Sequence, residues 1–490
     1  MDHAPSIQEG EVGFVIGAKG YLLSLEGLPS ARIHTVIQNA KGQRALVTAL
    51  HEENIEALLL DRGDPEAGDR FMLAGDHLLY PFGEELFGRV INALGEPIDD
   101  GGGLEERTTP LFLDANAPTM NARAPMTEQL VTGMPAIDIL MPIAKGQRQL
   151  VVGPISSGKN LFLESMFANQ TTTGVICIYA YIGRPADYIE DAIGRIFTEK
   201  GNQQSIVIAS FSDEPASMVY LTPLVAVELA EHFAHEGKDV VVVLDDLGMH
   251  AKFLREIALL SGQVPGRESY PGDMFFQQAS MLERAGRFNK TLGNGSITIL
   301  PVLETNIEDI SSLVSTNLVS ATDGHLFFSP LLHAEGIFPA MIPAQSVTRV
   351  GRKTQSTLAT QLSVQVQALL SEYERQQRYS QFGTQLSQKT RHIIAQGQVM
   401  RALLNQERMA ALPIEAQIIL LALPFASFFD EKDAAFATRN RRALIDAVAR
   451  ADADPTAGPV VASARRGAIS LSQFLKKLSG VLPYFNAVCQ

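Results

Sequence analysis

Eight consecutive residues form a glycine-bounded loop whose chemistry suits a phosphate group. A short apolar run at 149–152 precedes the loop, and a helical pattern at 160–169 follows it. In that setting backbone N–H groups and the helix N-terminus face an anion, while a lysine neutralises its charge. The sequence therefore predicts a phosphate-binding loop (P-loop) for ATP or ADP with Mg²⁺, formed by Gly153, Pro154, Ile155, Ser156, Ser157, Gly158, Lys159 and Asn160.

The last position of this loop departs from the usual pattern. A serine or threonine there supplies a hydroxyl to Mg²⁺, whereas Asn160 offers an amide oxygen on a longer side chain and in poorer geometry. We take Asn160 as a metal ligand of reduced quality. The alternative is a glycine turn that binds nothing.

A second candidate for the metal follows the apolar run at 239–244. Asp245 and Asp246 end that run. In P-loop proteins such an acid holds the water molecules of the metal. We assign this role to Asp246 and expect Asp245 to cap the following turn. The competing interpretation is ordinary capping of the helix near Met249.

Three patterns indicate the elements that position these residues. Short strands separated by turn residues run from Glu11 to about residue 81 and predict a small N-terminal β-barrel. From about residue 127 apolar strands alternate with helices, which predicts a mostly parallel sheet covered on both faces. From about residue 363 a helical pattern dominates. We predict a barrel at 1–85, an α/β nucleotide-binding domain at 86–362 and a helical domain at 363–490.

Composition excludes some classes of partner and location. The net charge of −14 argues against nucleic acid, because phosphate backbones attract clustered lysine and arginine. With only Cys177 and Cys489, a reducing compartment fits best. The longest apolar run, 416–429, is shorter than the roughly 20 residues that span a bilayer. We therefore expect no direct membrane insertion, and membrane association through other proteins.

Several segments together resemble the alpha subunits of F-type ATP synthases, over nearly the whole chain. The run Thr-Gly-Met-Pro-Ala-Ile-Asp at 132–138 is similar to the family's approach to the P-loop. The other matching segments are 265–273, 346–351, 390–398 and 413–429. The resemblance implies a barrel, a RecA-like nucleotide domain and a C-terminal helical domain.

The resemblance also implies an assembly. In the family, alpha and catalytic beta subunits alternate in a hexameric ring around a rotating shaft subunit, at the cytoplasmic face of the bacterial inner membrane. The segment 265–273 matches the loop that faces the shaft. The ring couples ATP synthesis or hydrolysis to H⁺ or Na⁺ transport, and the sequence does not distinguish the two ions.

Three residues gain a role from the resemblance. Arg349 matches the family's arginine finger, which reaches the terminal phosphate in a neighbouring subunit, and Ser346 matches a residue that supports signalling between sites. Gln406 matches a glutamine near the nucleotide base. Without the resemblance, a surface arginine in an ion pair is the better interpretation of Arg349, and Ser346 could simply be a hydrogen-bonded strand residue.

The chain departs from the family at several positions around its own nucleotide. The catalytic beta pattern has a glutamate that orients water, whereas this chain has no carboxylate at 182–185, so we expect its own site to be catalytically silent. Phe338 replaces an arginine near the nucleotide, Arg408 a second glutamine, and Ser156 a glutamine that the loop often has. With Asn160 these changes predict weak nucleotide binding or binding without tight metal dependence.

Stator attachment and two other functions stay open. The barrel pattern begins near Glu11, after a shorter N-terminal stretch than the family has, so we expect the stator subunits to attach differently. One alternative is a non-catalytic scaffold with a decayed P-loop. The other is an autonomous ring ATPase of the secretion or RNA-translocase type, against which the missing glutamate argues.

Overall fold

The computed structural model describes residues 10–104, 108–113, 115–170, 173–197, 204–264, 266–305, 311–380 and 387–489. These residues fall into two compact units. The first unit contains the described residues of 10–124, 173–304 and 311–321, and the second contains those of 125–170 and 322–489 with residue 305. The stretch before residue 10, on which the stator expectation depends, and Pro265 lie outside the described residues.

Strands occur in both units and consist largely of aliphatic and β-branched residues. In chain order they are β1 Val12–Lys19, β2 Leu22–Glu26, β3 Val36–Asn39, β4 Arg44–Leu50, β5 Ile55–Leu59, β6 Arg70–Gly75, β7 Leu79–Pro81, β8 Val90–Ile91, β9 Thr108–Pro110, β10 Gln129–Leu130, β11 Ile143–Ala144, β12 Gln149–Gly153, β13 Ile176–Arg184, β14 Ser205–Phe211, β15 Asp239–Asp245, β16 Gly286–Arg287, β17 Ser296–Glu304, β18 Gly324–Phe327 and β19 Val347–Thr348.

Helices follow most of the longer strands and fill the C-terminal part of the chain. In chain order they are α1 Pro135–Asp138, α2 Lys159–Asn169, α3 Ala186–Ile196, α4 Ala216–His235, α5 Leu247–Leu260, α6 Met274–Glu283, α7 Leu313–Ala321, α8 Pro330–Ala334, α9 Thr357–Ser380, α10 Gln388–Leu404, α11 Ile414–Ala422, α12 Ala434–Ala451, α13 Gly458–Arg466, α14 Leu471–Ser479 and α15 Leu482–Asn486.

Strands β1 to β6 close into an antiparallel barrel in the order β1-β2-β5-β4-β3-β6. Because successive side chains of a strand point to opposite faces, alternate residues fill the barrel interior. Leu23 and Leu25 of β2, Ile37 of β3 and Phe71 of β6 are fully buried in this core. The sequence prediction of an N-terminal barrel is confirmed.

The longer strands of the first unit form a parallel sheet in the order β8-β14-β13-β15-β17. Every residue of β13 is buried, and so are the four valines of β15. Strands covered on both faces are apolar along their whole length, and here α4 packs against β13, β14 and β15. The carboxyl ends of the parallel strands meet at one edge, where Arg184, Asp245 and Glu304 end β13, β15 and β17.

In the second unit β12 pairs in parallel with β18, and β18 pairs antiparallel with β19. β12 leads into the P-loop and α2. The C-terminal part of this unit is helical: α10 packs against α9 and α12, and α11 packs against α12 and α13. Because α11 is surrounded by other helices, residues 416–422 are all buried, as a helix that is apolar on every face requires.

A buried carboxylate fixes the segment before the P-loop to these helices. Asp138 is fully buried and accepts hydrogen bonds from the backbone N–H and the hydroxyl of Thr132, both at 2.8 Å. The backbone N–H of Gly133 donates at 2.9 Å and the side-chain amide of Gln417 in α11 at 2.8 Å. Burial raises the pKa of Asp138 to about 6, and the four donors oppose a larger rise.

The fold class predicted from the sequence is therefore confirmed: a β-barrel, a nucleotide-binding domain with a mostly parallel sheet, and a C-terminal helical domain. The domain limits 1–85, 86–362 and 363–490 stay predictions. Within the described parts of the chain, every helix is too short or too polar to cross a bilayer.

Helix α5 buries a histidine. His250 is 3% exposed, its Nε2 lies 3.4 Å from the carbonyl oxygen of Tyr220, and its ring stacks on the Tyr220 ring. An imidazolium loses its hydration in such a place. Burial therefore lowers the pKa of His250 to about 4.

We expect His250→Gln to remove part of the acid sensitivity of folding. Because the folded-state pKa is depressed below the unfolded value of about 6.5, the unfolded chain takes up the proton first. The wild type consequently loses about 2 kcal/mol of unfolding free energy through this residue between pH 7 and pH 5, and the variant should not. Urea unfolding at the two pH values measures the difference.

The control for this experiment is His392→Gln, which changes an exposed histidine in α10. It should keep the full wild-type difference between pH 7 and pH 5. An equally large difference in His250→Gln would show that His250 does not cause it.

Candidate functional site

The P-loop lies between β12 and α2, as the sequence predicted. Gly158 precedes α2 with φ +79°, and Ser156 also has a positive φ, of +60°. A Cβ atom at Gly153 would lie 2.9 Å from the carbonyl oxygen of Phe328. Gly158 has the backbone conformation that L side chains rarely adopt, and Gly153 has no room for a side chain. The loop therefore depends on both glycines for its shape.

Two polar side chains of the loop, those of Ser157 and Lys159, are buried. Lys159 is 3% exposed, and its Nζ donates to the carbonyl oxygen of Pro154 at 3.2 Å. The ammonium thus lies over the loop, where a phosphate would approach. Ile155 and Ser156 are exposed, and Ser157 is buried. The loop fits an anionic phosphate group, with Lys159 and the N-terminus of α2 as its positive groups.

The structure gives the capping role at the end of β15 to Asp246 and not to Asp245. Asp246 is the N-cap of α5, because its Oδ1 accepts from the backbone N–H of Met249 at 2.5 Å. Its Oδ2 accepts from the backbone N–H of Glu304 at 3.0 Å. The prediction that Asp245 would be the capping residue is wrong. Both oxygens of Asp246, our candidate for the metal, already accept backbone hydrogen bonds.

Asp245 is instead paired with an arginine. Nη2 of Arg184 lies 2.5 Å from Oδ1 of Asp245 and 3.7 Å from Oδ2 of Asp246. Nη1 of Arg184 lies 3.2 Å from Oε2 of Glu304. The hydroxyl of Tyr179 donates to the other oxygen of Asp245 at 3.2 Å. We call Arg184, Asp245, Asp246 and Glu304 the acid cluster.

Burial controls the electrostatics of this cluster. Burial raises the pKa of Asp246, and the positive charge of Arg184 opposes the rise. For Arg184 burial alone would lower the pKa, but the charges of Asp245 and Asp246 raise it above its ordinary value. Arg184 is therefore charged at every accessible pH. From the sequence we noted only that residues 182–185 contain no carboxylate, and we gave Arg184 no role.

Arg349 lies on the surface of the second unit. It follows β19 directly and is exposed. Its backbone N–H donates to the carbonyl oxygen of Asp323 at 3.1 Å, which fixes the base of the side chain. Burial lowers the pKa of the neighbouring His325, and the positive charge of Arg349 adds to that shift.

Ser346 has a structural environment. It is 6% exposed and lies immediately before β19. Its hydroxyl accepts from the backbone N–H of Phe327 at 3.0 Å and donates to the carbonyl oxygen of Ile342 at 2.8 Å. These two bonds hold the segment that leads to Arg349 against the end of β18.

Gln406 is buried in the second unit, after α10. Its side-chain amide donates to the carbonyl oxygens of Gly133, at 3.0 Å, and Ala410. Its backbone N–H donates to the carbonyl oxygen of Phe338 at 2.8 Å. Within the described residues, the amide oxygen Oε1 of Gln406 is buried and accepts no hydrogen bond. An acceptor of this kind fits the exocyclic amine of a purine base.

Comparison with known proteins identifies the family. Residues 133–348 match the nucleotide-binding domain of the ATP synthase alpha/beta family, and residues 355–457 match the C-terminal domain of that family. ATP synthase subunit alpha 1 of Dinoroseobacter shibae is 36% identical over 91% of this chain and 88% of its own length. The chain belongs to the ATP synthase alpha subunit family. ATP synthase subunit alpha 2 of Nitrosospira multiformis is 34% identical over 87% of this chain and 83% of its own length.

A third relative has the same family name. ATP synthase subunit alpha of Caldanaerobacter subterraneus subsp. tengcongensis is 34% identical over 85% of this chain and 82% of its own length. In this ATP synthase alpha family member, the candidate residues divide between the two units. The P-loop, Ser346, Arg349 and Gln406 belong to the second unit, and Asp246 belongs to the first.

The geometry at Gly158 predicts a difference in stability between two glycine variants. A Cβ atom at Gly158 would lie 2.8 Å from Nδ1 of His333, whereas at Gly174, which also has a positive φ, it would meet nothing within 4 Å. Gly174→Ala should therefore cost only the backbone strain, roughly 1–2 kcal/mol of unfolding free energy. Gly158→Ala should cost more, because the clash adds to the strain. Urea unfolding measures both variants.

A double variant separates the two contributions. Adding His333→Ala to Gly158→Ala should recover the excess over Gly174→Ala and leave the backbone strain. Equal losses for the two glycine variants, with no recovery in the double variant, would contradict the clash.

Proposed function

We propose that this protein is the non-catalytic alpha-type subunit of a rotary F-type ATP synthase and lends Arg349 to the active site of a neighbouring catalytic beta subunit. The two subunit types alternate in a hexameric ring. The ring synthesises or hydrolyses ATP coupled to the transport of H⁺ or Na⁺. The observation that carries the proposal is an exposed arginine on a fixed base.

Asp323 anchors the backbone of Arg349, but its carboxylate is already paired with another arginine. The charge of Arg349 is therefore directed outward. The carboxylate of Asp323 accepts from Nε of Arg148 at 3.1 Å, from Nη2 at 2.8 Å and from the backbone N–H at 3.0 Å. Asp323 contacts Arg349 through its carbonyl oxygen, which accepts the hydrogen bond from the backbone N–H of Arg349. Within the described residues the guanidinium of Arg349 has no ion pair. It is therefore available to an anion on another subunit.

A guanidinium on a fixed base suits phosphoryl transfer. The reaction needs in-line positioning and neutralisation of charge that spreads over the phosphate oxygens. The planar fork of an arginine offers two parallel donors, which a lysine cannot. Ser346 supports this role by holding the segment before Arg349 in place, which is a positioning role.

The chain's own site lacks the carboxylate that would orient water for hydrolysis, since β13 ends in Arg184. Nucleotide binding at this site rests on the P-loop with Lys159 and on Gln406 for the base. Asn160 and Asp246 are our candidate ligands for Mg²⁺. Each is a poor ligand by itself, because Asp246 already accepts two backbone hydrogen bonds and Asn160 has no hydroxyl.

Other surfaces suit the remaining partners. Residues 266–270 are largely exposed, beside Val264 at 90% exposure and Phe276 at 75%. Exposed apolar side chains around a turn fit a contact with a shaft subunit. Stator subunits complete the assembly, which we place at the cytoplasmic face of the bacterial inner membrane.

We expect Arg349→Ala to abolish most ATP turnover of the reconstituted ring. Loss of an arginine finger lowers turnover by roughly 10³- to 10⁵-fold. Arg352→Ala is the matched control, since Arg352 is also exposed and its side chain donates to Gln367 within its own subunit. That ring should keep wild-type turnover. Steady-state ATPase rates measure the effect, and native mass spectrometry verifies that each ring assembles.

Wild-type turnover in an assembled Arg349→Ala ring would contradict the finger and favour the scaffold alternative. ATP hydrolysis by the isolated subunit would favour the autonomous ring ATPase instead.

A further inference from the structure

The acid cluster at the carboxyl ends of β13, β15 and β17 already contains a cation. Arg184 is 9% exposed, and its two terminal nitrogens lie between carboxylates from two other strands. Asp245 is fully buried and Asp246 is 2% exposed. All of these residues belong to the first unit. Arg184 thus offsets part of the negative charge of the cluster from within the protein itself.

Each oxygen atom of the two aspartates also accepts a hydrogen bond. Asp245 accepts from Arg184 through Oδ1 and from Tyr179 through Oδ2. Asp246 accepts from Met249 and from the backbone of Glu304. A magnesium ion would need these lone pairs in an octahedral shell of oxygens at roughly 2.0–2.1 Å. Among the described residues, no group of three or more potential ligands has a geometry that could hold a metal ion.

A divalent ion and Arg184 compete for the same position. A guanidinium nitrogen 2.5 Å from Asp245 fills the space in which the ion would bind its first carboxylate. Two cations within a few ångströms repel each other strongly where water is excluded.

We propose that Arg184 is a built-in cation that takes the place of a divalent metal ion at the acid cluster and keeps the cluster closed to metals. Nucleotide binding by this subunit then needs no metal ion held by Asp246. The arginine also supplies the positive charge that stabilises the carboxyl ends of the three strands. This property is independent of Arg349 and of any neighbouring subunit.

Manganese binding to the full-length protein tests the proposal. Free Mn²⁺ is followed by electron paramagnetic resonance during titration of the wild type, Arg184→Gln and Arg184→Lys. We expect Arg184→Gln to gain affinity of about tenfold or more at one site, because a neutral side chain leaves the carboxylates open. Arg184→Lys keeps a cation in place and should bind as the wild type does.

A second substitution locates the gained site. Adding Asp245→Asn to Arg184→Gln should abolish the gain, and this double variant also removes the uncompensated buried charge that could hinder folding. Circular dichroism verifies the fold of each variant. A folded Arg184→Gln protein with wild-type Mn²⁺ binding would overturn the proposal.

Mn²⁺ binding by the wild-type protein is a further test of the proposal. If the wild-type protein binds Mn²⁺ at a site that Asp246→Asn removes, Arg184 does not exclude metals and the proposal is wrong. Neither result bears on Arg349, whose test is turnover of the assembled ring. Failure of this inference is therefore distinguishable from failure of the proposed function.

Discussion

The structure of the first unit depends on how buried negative charge is neutralised where three parallel strands end. A carboxylate moved out of water costs several kcal/mol unless a cation and hydrogen bonds replace its hydration. The sequence places Asp245 at the end of β15 and Glu304 at the end of β17, with Asp246 directly after β15. Arg184, at the end of the strand beside β15, forms ion pairs with all three carboxylates, and hydrogen bonds to Asp245 and Asp246 supplement its single charge. One guanidinium therefore holds together the ends of β13, β15 and β17.

Arg349 is a second arginine with the opposite environment. Its base is fixed by a backbone bond to Asp323, but the carboxylate of Asp323 is committed to Arg148. The guanidinium is exposed and, within the described residues, forms no ion pair. Arg184 contributes to its own fold, where the cost of leaving it unpaired would be high, and Arg349 is placed where being unpaired costs little.

Much of this arrangement was predictable from the sequence because it depends on local patterns. Apolar runs that end in glycine or acid identified the parallel strands, and the glycine spacing identified the P-loop. The roles of Asp245 and Asp246 were not predictable. Which of two adjacent carboxylates caps a helix depends on the backbone at the junction, and here Asp246 accepts from Met249. The pairing of Arg184 with Asp245 spans 61 residues and depends on the register of neighbouring strands.

The positions of these charges favour a division of labour between subunits over a decayed enzyme. In a decayed site we would expect the loss of charged residues to leave cavities or unpaired acids, because no selection acts on the residues that replace them. Here Arg184 forms ion pairs with Asp245, Asp246 and Glu304, so these three acids are not left unpaired. Lys159 and the glycines of the P-loop retain a phosphate-binding shape. This subunit keeps its phosphate loop, pairs its buried acids with an arginine of its own and presents an exposed arginine on its surface, which is what the proposed division of labour requires.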